Sequence, residues 1–221
     1  MEFDFSMVSL SMPLLLAGAA VTLKITAMAV GLGMVFGLIA AIGALCNNRV
    51  IHCIARVYVV FIRGTPLLVQ IFILYFALPV ILGTRIDPFT AAVAACSINS
   101  GAYVAEIFRA GIQSISIGQR RAALSLGMTN YQAMRYVILP QAFKRVIPPL
   151  GNEFIAMLKD SSLVSVIGFE ELTRKGQLII ADTYASVEIW AAVALLYLAM
   201  TFTISQLVAY MEKRFRTGDE T

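Results

Sequence analysis

Apolar residues in this chain come in long runs separated by short polar breaks, the pattern of membrane crossings rather than of amphipathic surface helices. A helix spanning the hydrocarbon core needs about 20 mostly apolar residues. The first run, 14–46, is broken only by Lys24. Ile25 to Cys46 is uncharged and long enough to cross alone, which places Lys24 near an interface or snorkelling towards one. The second run, 57–82, contains Arg63-Gly64-Thr65-Pro66 and then Gln70. Pro66 lacks a backbone donor and suits a helix start or a kink. The third run, 89–108, carries Ser97, Asn99 and Ser100 at its middle. The fourth, 146–167, holds Pro148, Pro149, Gly151, Glu153, Lys159 and Asp160, and predicts a short, bent or partly broken helix. The fifth, 188–210, is clean, with Trp190 and Tyr210 placed as interfacial anchors. Between the third and fourth lies a basic segment, 109–145. Residues 169–187 are polar with room for a short surface helix, and a charged tail follows residue 210.

Composition agrees with this pattern. The chain is 59% apolar and 14% charged, whereas soluble domains carry about 25% charged residues. Mean hydropathy is +0.82. The expected class is an all-α integral membrane protein, residues 1–221 forming one domain with five transmembrane helices. Charge then orients it. With five crossings, twelve Lys and Arg fall on one side and only Arg85, Arg174 and Lys175 on the other. Positive charge concentrates on the cytoplasmic side, which predicts the N-terminus outside and the C-terminus inside. Met1 to Met12 carries Glu2 and Asp4 without Lys or Arg, so no signal peptide is expected. Cys46, Cys53 and Cys96 are unclustered and read as small buried apolar residues, and His52 as a solvated loop histidine. Gly33, Gly37 and Ala41 recur every four residues, a stripe that lets another helix approach closely.

No catalytic or metal-binding constellation is visible, and no Gly-x-x-x-x-Gly-Lys-Ser/Thr loop for nucleotide phosphates occurs. The chain is therefore expected not to be an enzyme and to need no cofactor of its own; nucleic acid is not an expected partner. Polar groups inside the membrane are costly, about 2.5–3.5 kcal/mol for a carboxylate near the centre, and mark where function lies. Gln70, Asn99, Ser100 and Glu153 fall at similar depth on three runs. Two readings stand: a polar ligand site at the midplane, as in transporters, or interhelical hydrogen bonds that hold the bundle together. Lys159 and Asp160 lie further out and are expected to neutralise each other.

From Arg109 to Arg145 there are six Lys or Arg and no Asp or Glu. Within it, Ala122-Ala123-Leu124-Ser125-Leu126 is a small-residue helix former ending at Gly127, which suits a left-handed cap. Tyr131 to Leu139 predicts a second helix that ends at Pro140. Such a helix–Gly–helix unit is a docking element by shape. Ala122-Ala123, Gly127 and Leu139-Pro140 reproduce the spacing of the cytoplasmic EAA loop, and here the chain resembles the transmembrane subunits of binding-protein-dependent ATP-binding-cassette importers. The family's glutamate falls at Arg121, so the usual role of that glutamate is not carried over.

Further motifs resemble the polar amino acid permeases within that family: Arg63 to Gln70, Ile98 to Glu106, Leu150 to Phe154, and Lys159 to Leu163 running into Val166-Ile167-Gly168. Arg85 to Thr90 and Glu171 to Arg174 look most like glutamine permeases. The resemblance implies a type I importer permease fold with a cytoplasmic coupling helix, in the bacterial inner membrane. It implies a second permease subunit, identical or related, and two ATPase subunits that bind ATP and Mg. It also implies an extracytoplasmic binding protein that delivers a polar amino acid. The helix around Arg121, Ala122, Ala123, Leu126 and Gly127 would couple to the ATPases. Glu153 and Asn99 would contact the amino acid in transit, with Ser100, Gln70 and Leu67 completing the candidate substrate-binding set. Two rivals are an ATP-independent channel or ion-coupled carrier, which leaves the basic loop unexplained, and a non-transporting scaffold subunit of a membrane complex.

Overall fold

A computed structural model describes residues 5–216, the last two by their backbone alone. Glu2, Asp4 and the tail past residue 216 lie outside the described residues. Within them the chain is helical and has no strand. The order is α1 (Phe5–Leu45), α2 (Arg49–Arg63), α3 (Leu67–Phe72), a π turn (Ile73–Ala77), α4 (Leu78–Leu82) and α5 (Pro88–Gln113). Then come α6 (Ile117–Ser125), α7 (Asn130–Ala133), a second π turn (Met134–Ile138) and α8 (Leu139–Asp160). A 3-10 segment (Ser161–Ile167), α9 (Leu172–Thr183) and α10 (Ser186–Arg216) complete it.

The molecule is built on α1 against α5, its most extensive helix pair. Their approach is set by missing side chains. A Cβ at Gly37 would lie 2.6 Å from Val104 Cγ1 and 2.8 Å from the Gly101 carbonyl, and one at Gly33 would lie 2.9 Å from Ser100 Cβ. The small-residue stripe is thus a helix contact, as the spacing predicts. Around it the core gathers Ile25 and Ala29 of α1, Ile71 of α3, Ala92 and Cys96 of α5, and Met157 of α8. At 41 residues, α1 is about 60 Å long, twice the hydrocarbon thickness, so it tilts or projects beyond the bilayer. Lys24 Nζ sits 5.4 Å from the centre of the Phe89 ring at the start of α5.

Three described helices are long and apolar enough to cross a membrane: Phe5–Leu45, Pro88–Gln113 and Ser186–Arg214. The second predicted run is not one continuous span. Arg49–Arg63 and Leu67–Leu82 meet at 104° across Gly64, Thr65 and Pro66, and count as a fourth crossing only if the bent pair is taken together. The fourth predicted run is a regular helix to Asp160 that tightens to 3-10 through Ile167, with Pro148 and Pro149 inside its helical part. It is too polar to be recognised as a span by length and apolarity, although it packs on α5 and α10.

Four smaller expectations are corrected. The helix begun near Tyr131 does not stop at Pro140. It widens into a π turn, with the Leu139 N–H bonded to the Met134 carbonyl, and runs on as α8. The wider turn accommodates a ring that would otherwise clash one turn back. Pro79 likewise follows the other π turn. Cys46 and Cys53 are exposed and only Cys96 is buried. His52 is not in a loop but on α2, its Nδ1 2.8 Å from the Ala44 carbonyl. Lys159 and Asp160 are not in ion-pair contact among the described residues, although the Lys159 charge acts on Asp160 from further away.

Candidate functional site

The 104° corner between α2 and α3 is held by Gln70. Its buried Nε2 donates to the carbonyls of Ile62 (2.8 Å) and Thr65 (3.1 Å) and lies 2.9 Å from the Thr65 hydroxyl. These are groups at the end of α2 that no continuing helix satisfies. Its Oε1 accepts from Asn99 Nδ2 at 3.0 Å, which pins the corner to the middle of α5. Tyr58 adds a second tie by donating to the Ile98 carbonyl at 2.7 Å. Leu67 is buried beside Ile71 in the core. Gln70 and Asn99 are therefore brought together, bonded to each other across the helices, with the Gln70 amide also engaged by the backbone.

Glu153 is placed differently. It projects half-buried from α8 towards α5, where its carboxyl comes within interacting reach of the Ser100 hydroxyl. Ser100 is fully buried and its hydroxyl meets no group but the Glu153 carboxyl, while the Ser97 hydroxyl one turn away has no partner among the described residues. Arg63, at the end of α2, is near enough for its charge to act on Glu153. Unpaired buried polar groups are uncommon and each asks for an explanation.

The coupling candidates form a compact unit. Ser116 caps α6 by accepting from the Gly118 N–H at 3.2 Å. At the other end Gly127 has φ +80. Its N–H bonds to Leu124 O (3.0 Å) and that of Met128 to Ala123 O (3.2 Å), the paired bonds of a Schellman cap. Ala123 is buried, while Arg121, Ala122 and Leu126 face outward. Arg120 reaches Asn130 Oδ1 at 3.0 Å, tying α6 to α7. Thr129 and Gln132 start α7 with a reciprocal capping box. From Asn130 the helical run then continues without interruption to Asp160, carrying Glu153.

The structural role of one residue, seen in the sequence only as part of a motif, was missed. Glu171 is wholly buried at the N-cap of α9. It accepts from the N–H groups of Thr173 (2.9 Å) and Arg174 (2.8 Å), from Tyr197 Oη (2.9 Å) and from Thr22 Oγ1 (3.4 Å). One carboxylate thus ties α1, α9 and α10. Burial raises its pKa above 4.5, and the hydrogen bonds oppose that shift. A Glu two residues before a run of donors is a recognisable cap, but Thr22 and Tyr197 are too far along the chain to be seen in it. Among the described residues no group of His, Cys, Asp and Glu is placed to hold a metal ion.

Residues 33–217 match the family described as binding-protein-dependent transport system inner membrane component. The chain is 46% identical over 217 residues to the glutamine transport system permease protein GlnP of Escherichia coli K12, covering 98% of this chain and 99% of that one. It is 38% identical over 219 residues to the arginine transport system permease protein ArtQ of Bacillus subtilis, covering 99% and 100%. A chain from the crystal structure of an amino acid ABC transporter with histidines superposes with TM-score 0.93 at 48% identity, covering 97% of this chain and 100% of that one.

Proposed function

This chain belongs to the inner membrane components of binding-protein-dependent transport systems, and on that premise we propose that it carries a polar amino acid, glutamine first, through the membrane. It is a multi-pass permease subunit of the inner membrane, and ATP hydrolysis belongs to a separate subunit. The proposed topology has five crossings with the N-terminus outside and the C-terminus inside, α8 with its 3-10 extension supplying the fourth. That arrangement keeps twelve positive charges on the cytoplasmic side and lets a polar helix cross where its carboxylate faces the bundle.

The observation that carries this reading is the placement of Glu153. It is the one carboxylate in the candidate substrate-binding set, it faces the Ser100 hydroxyl, and it rides on the helical run that begins at Asn130, just past the Gly127 cap. Glu153 would receive the ammonium group of the amino acid, with the Ser100 hydroxyl adding a donor or acceptor. Gln70, Asn99 and Leu67 would shape the wall rather than bind. The partners would be two ATPase subunits holding ATP and Mg, a second permease subunit, an extracytoplasmic binding protein and membrane lipid. Arg121, Ala122, Leu126 and Gly127 present the outward side of α6, which would seat in the ATPase surface while Ala123 packs inward. With Arg121 at the position of the family's glutamate, that surface would be acidic. Arg121→Glu would then weaken ATPase binding in a co-purification assay.

Reconstitution with the ATPase and binding protein in liposomes tests the substrate. Glutamine should stimulate ATP hydrolysis most among the amino acids. If no amino acid stimulates it, the substrate assignment falls.

A further inference from the structure

One turn of α8 before Glu153, at Pro149, a cavity of about 440 Å³ opens between the end of α2, the second half of α5 and the first half of α8. Its polar lining is Arg63, Tyr103, Glu106, Ser114 and Arg145. These groups are not equivalent. Glu106 is occupied by Arg109, whose Nε donates to it at 2.9 Å and whose second guanidinium nitrogen closes a fork. Arg145 is half engaged, donating through one nitrogen to the Ser114 carbonyl and hydroxyl at 2.7 and 3.2 Å. Arg63 makes no hydrogen bond or ion pair among the described residues. Its guanidinium lies 5.1 Å from the centre of the Tyr103 ring, so the aromatic face fixes it while its donors stay available.

The corner explains why Arg63 stands there. Gln70 grips the Ile62 carbonyl, the residue immediately before Arg63, and Asn99 anchors Gln70 to α5. The bend thus ends α2 with a guanidinium pressed against Tyr103, one turn beyond Ser100 on the same helix. The cavity has two cations with free donors and one carboxylate already neutralised. It is built to receive an anion, and a planar guanidinium suits a carboxylate.

We propose that this cavity is an exit site on the cytoplasmic side of Glu153, where Arg63 receives the α-carboxylate of the amino acid leaving the midplane. The inference rests on the importer reading above and names a binding residue for it. Occupancy from the cytoplasmic side should then hold the transporter back. The test uses the whole complex in proteoliposomes, with glutamine or glutaminamide, which lacks the carboxylate, enclosed on the side of the ATPases. Enclosed glutamine should slow uptake by the wild-type complex, and glutaminamide should not. Arg63→Gln should need about tenfold more enclosed glutamine for the same inhibition, and Arg63→Lys should fall between. Tyr103→Leu, which keeps the charge and removes its support, should weaken inhibition in the same sense and guards against a corner that fails to fold. Equal inhibition by glutaminamide, no inhibition of the wild type, or an unchanged response in both Arg63→Gln and Tyr103→Leu would overturn the exit site while leaving transport intact. A wild-type complex that transports no amino acid overturns the importer reading, and does so before any variant is made.

Discussion

Two carboxylates are withdrawn from water in this molecule, and they are treated in opposite ways. Glu171 has four hydrogen-bond donors and no exposure, and it joins three helices. Glu153 is half-buried on α8, with the Ser100 hydroxyl as the one side-chain donor near its carboxyl. Burial alone therefore does not identify a transport site. The difference lies in satisfaction: a wholly buried acid with four donors in place is a clamp, whereas a half-buried one facing a single hydroxyl keeps capacity to accept further hydrogen bonds.

The comparison breaks most readily at Glu171. Replacing it with alanine removes the acceptor of Tyr197 and of the N–H groups at the start of α9, and should cost about 3 kcal/mol of stability. Thermal unfolding of the purified complex measures this, and an unchanged midpoint would remove the clamp. The second effect is functional. Glu153→Gln should lower glutamine uptake about tenfold, the scale of one lost charge-assisted contact, while changing stability by less than about 1 kcal/mol. Equal losses of stability in the two variants would erase the distinction between them.

The smallest effect is in pH. Because burial holds the Glu171 pKa above 4.5, the folded protein binds that proton more tightly than the unfolded chain. Its contribution is then fully present below about pH 4.5 and is lost as pH rises through the raised folded value. Glu171→Gln should flatten that part of the stability profile. A slope that steepens instead would mean the four hydrogen bonds outweigh burial.

Local regularities of the fold were legible in the sequence. The Gly33, Gly37 and Ala41 stripe and the Gly127 cap each depend on neighbours within one or two turns, so spacing alone reveals them. Pro140 misled because a proline ends a helix only when the turn before it keeps α geometry, and a π turn is a change of register that no residue pattern announces. The second run misled for a related reason. Apolarity counts residues through Gly64-Thr65-Pro66, whereas the bend is stabilised by Gln70 folding back onto α2 and by Asn99, 29 residues on. Gln70 and Asn99 were visible as polar residues at one depth, but whether such a pair binds a ligand or each other depends on distances across the bundle. Glu171 was hidden most deeply, its partner Thr22 lying 149 residues away.

The passage through Pro140 has a mechanical consequence. Because the π turn keeps the run from Asn130 to Glu153 continuous, these residues act as a lever about 35 Å long at 1.5 Å per residue. If the lever pivots rigidly near Gly127, a tilt of about 5° displaces Glu153 by about 3 Å, the length of one hydrogen bond. A proline that ended the helix would have left a loose joint at that point, and the same tilt would have been absorbed before it reached the carboxylate.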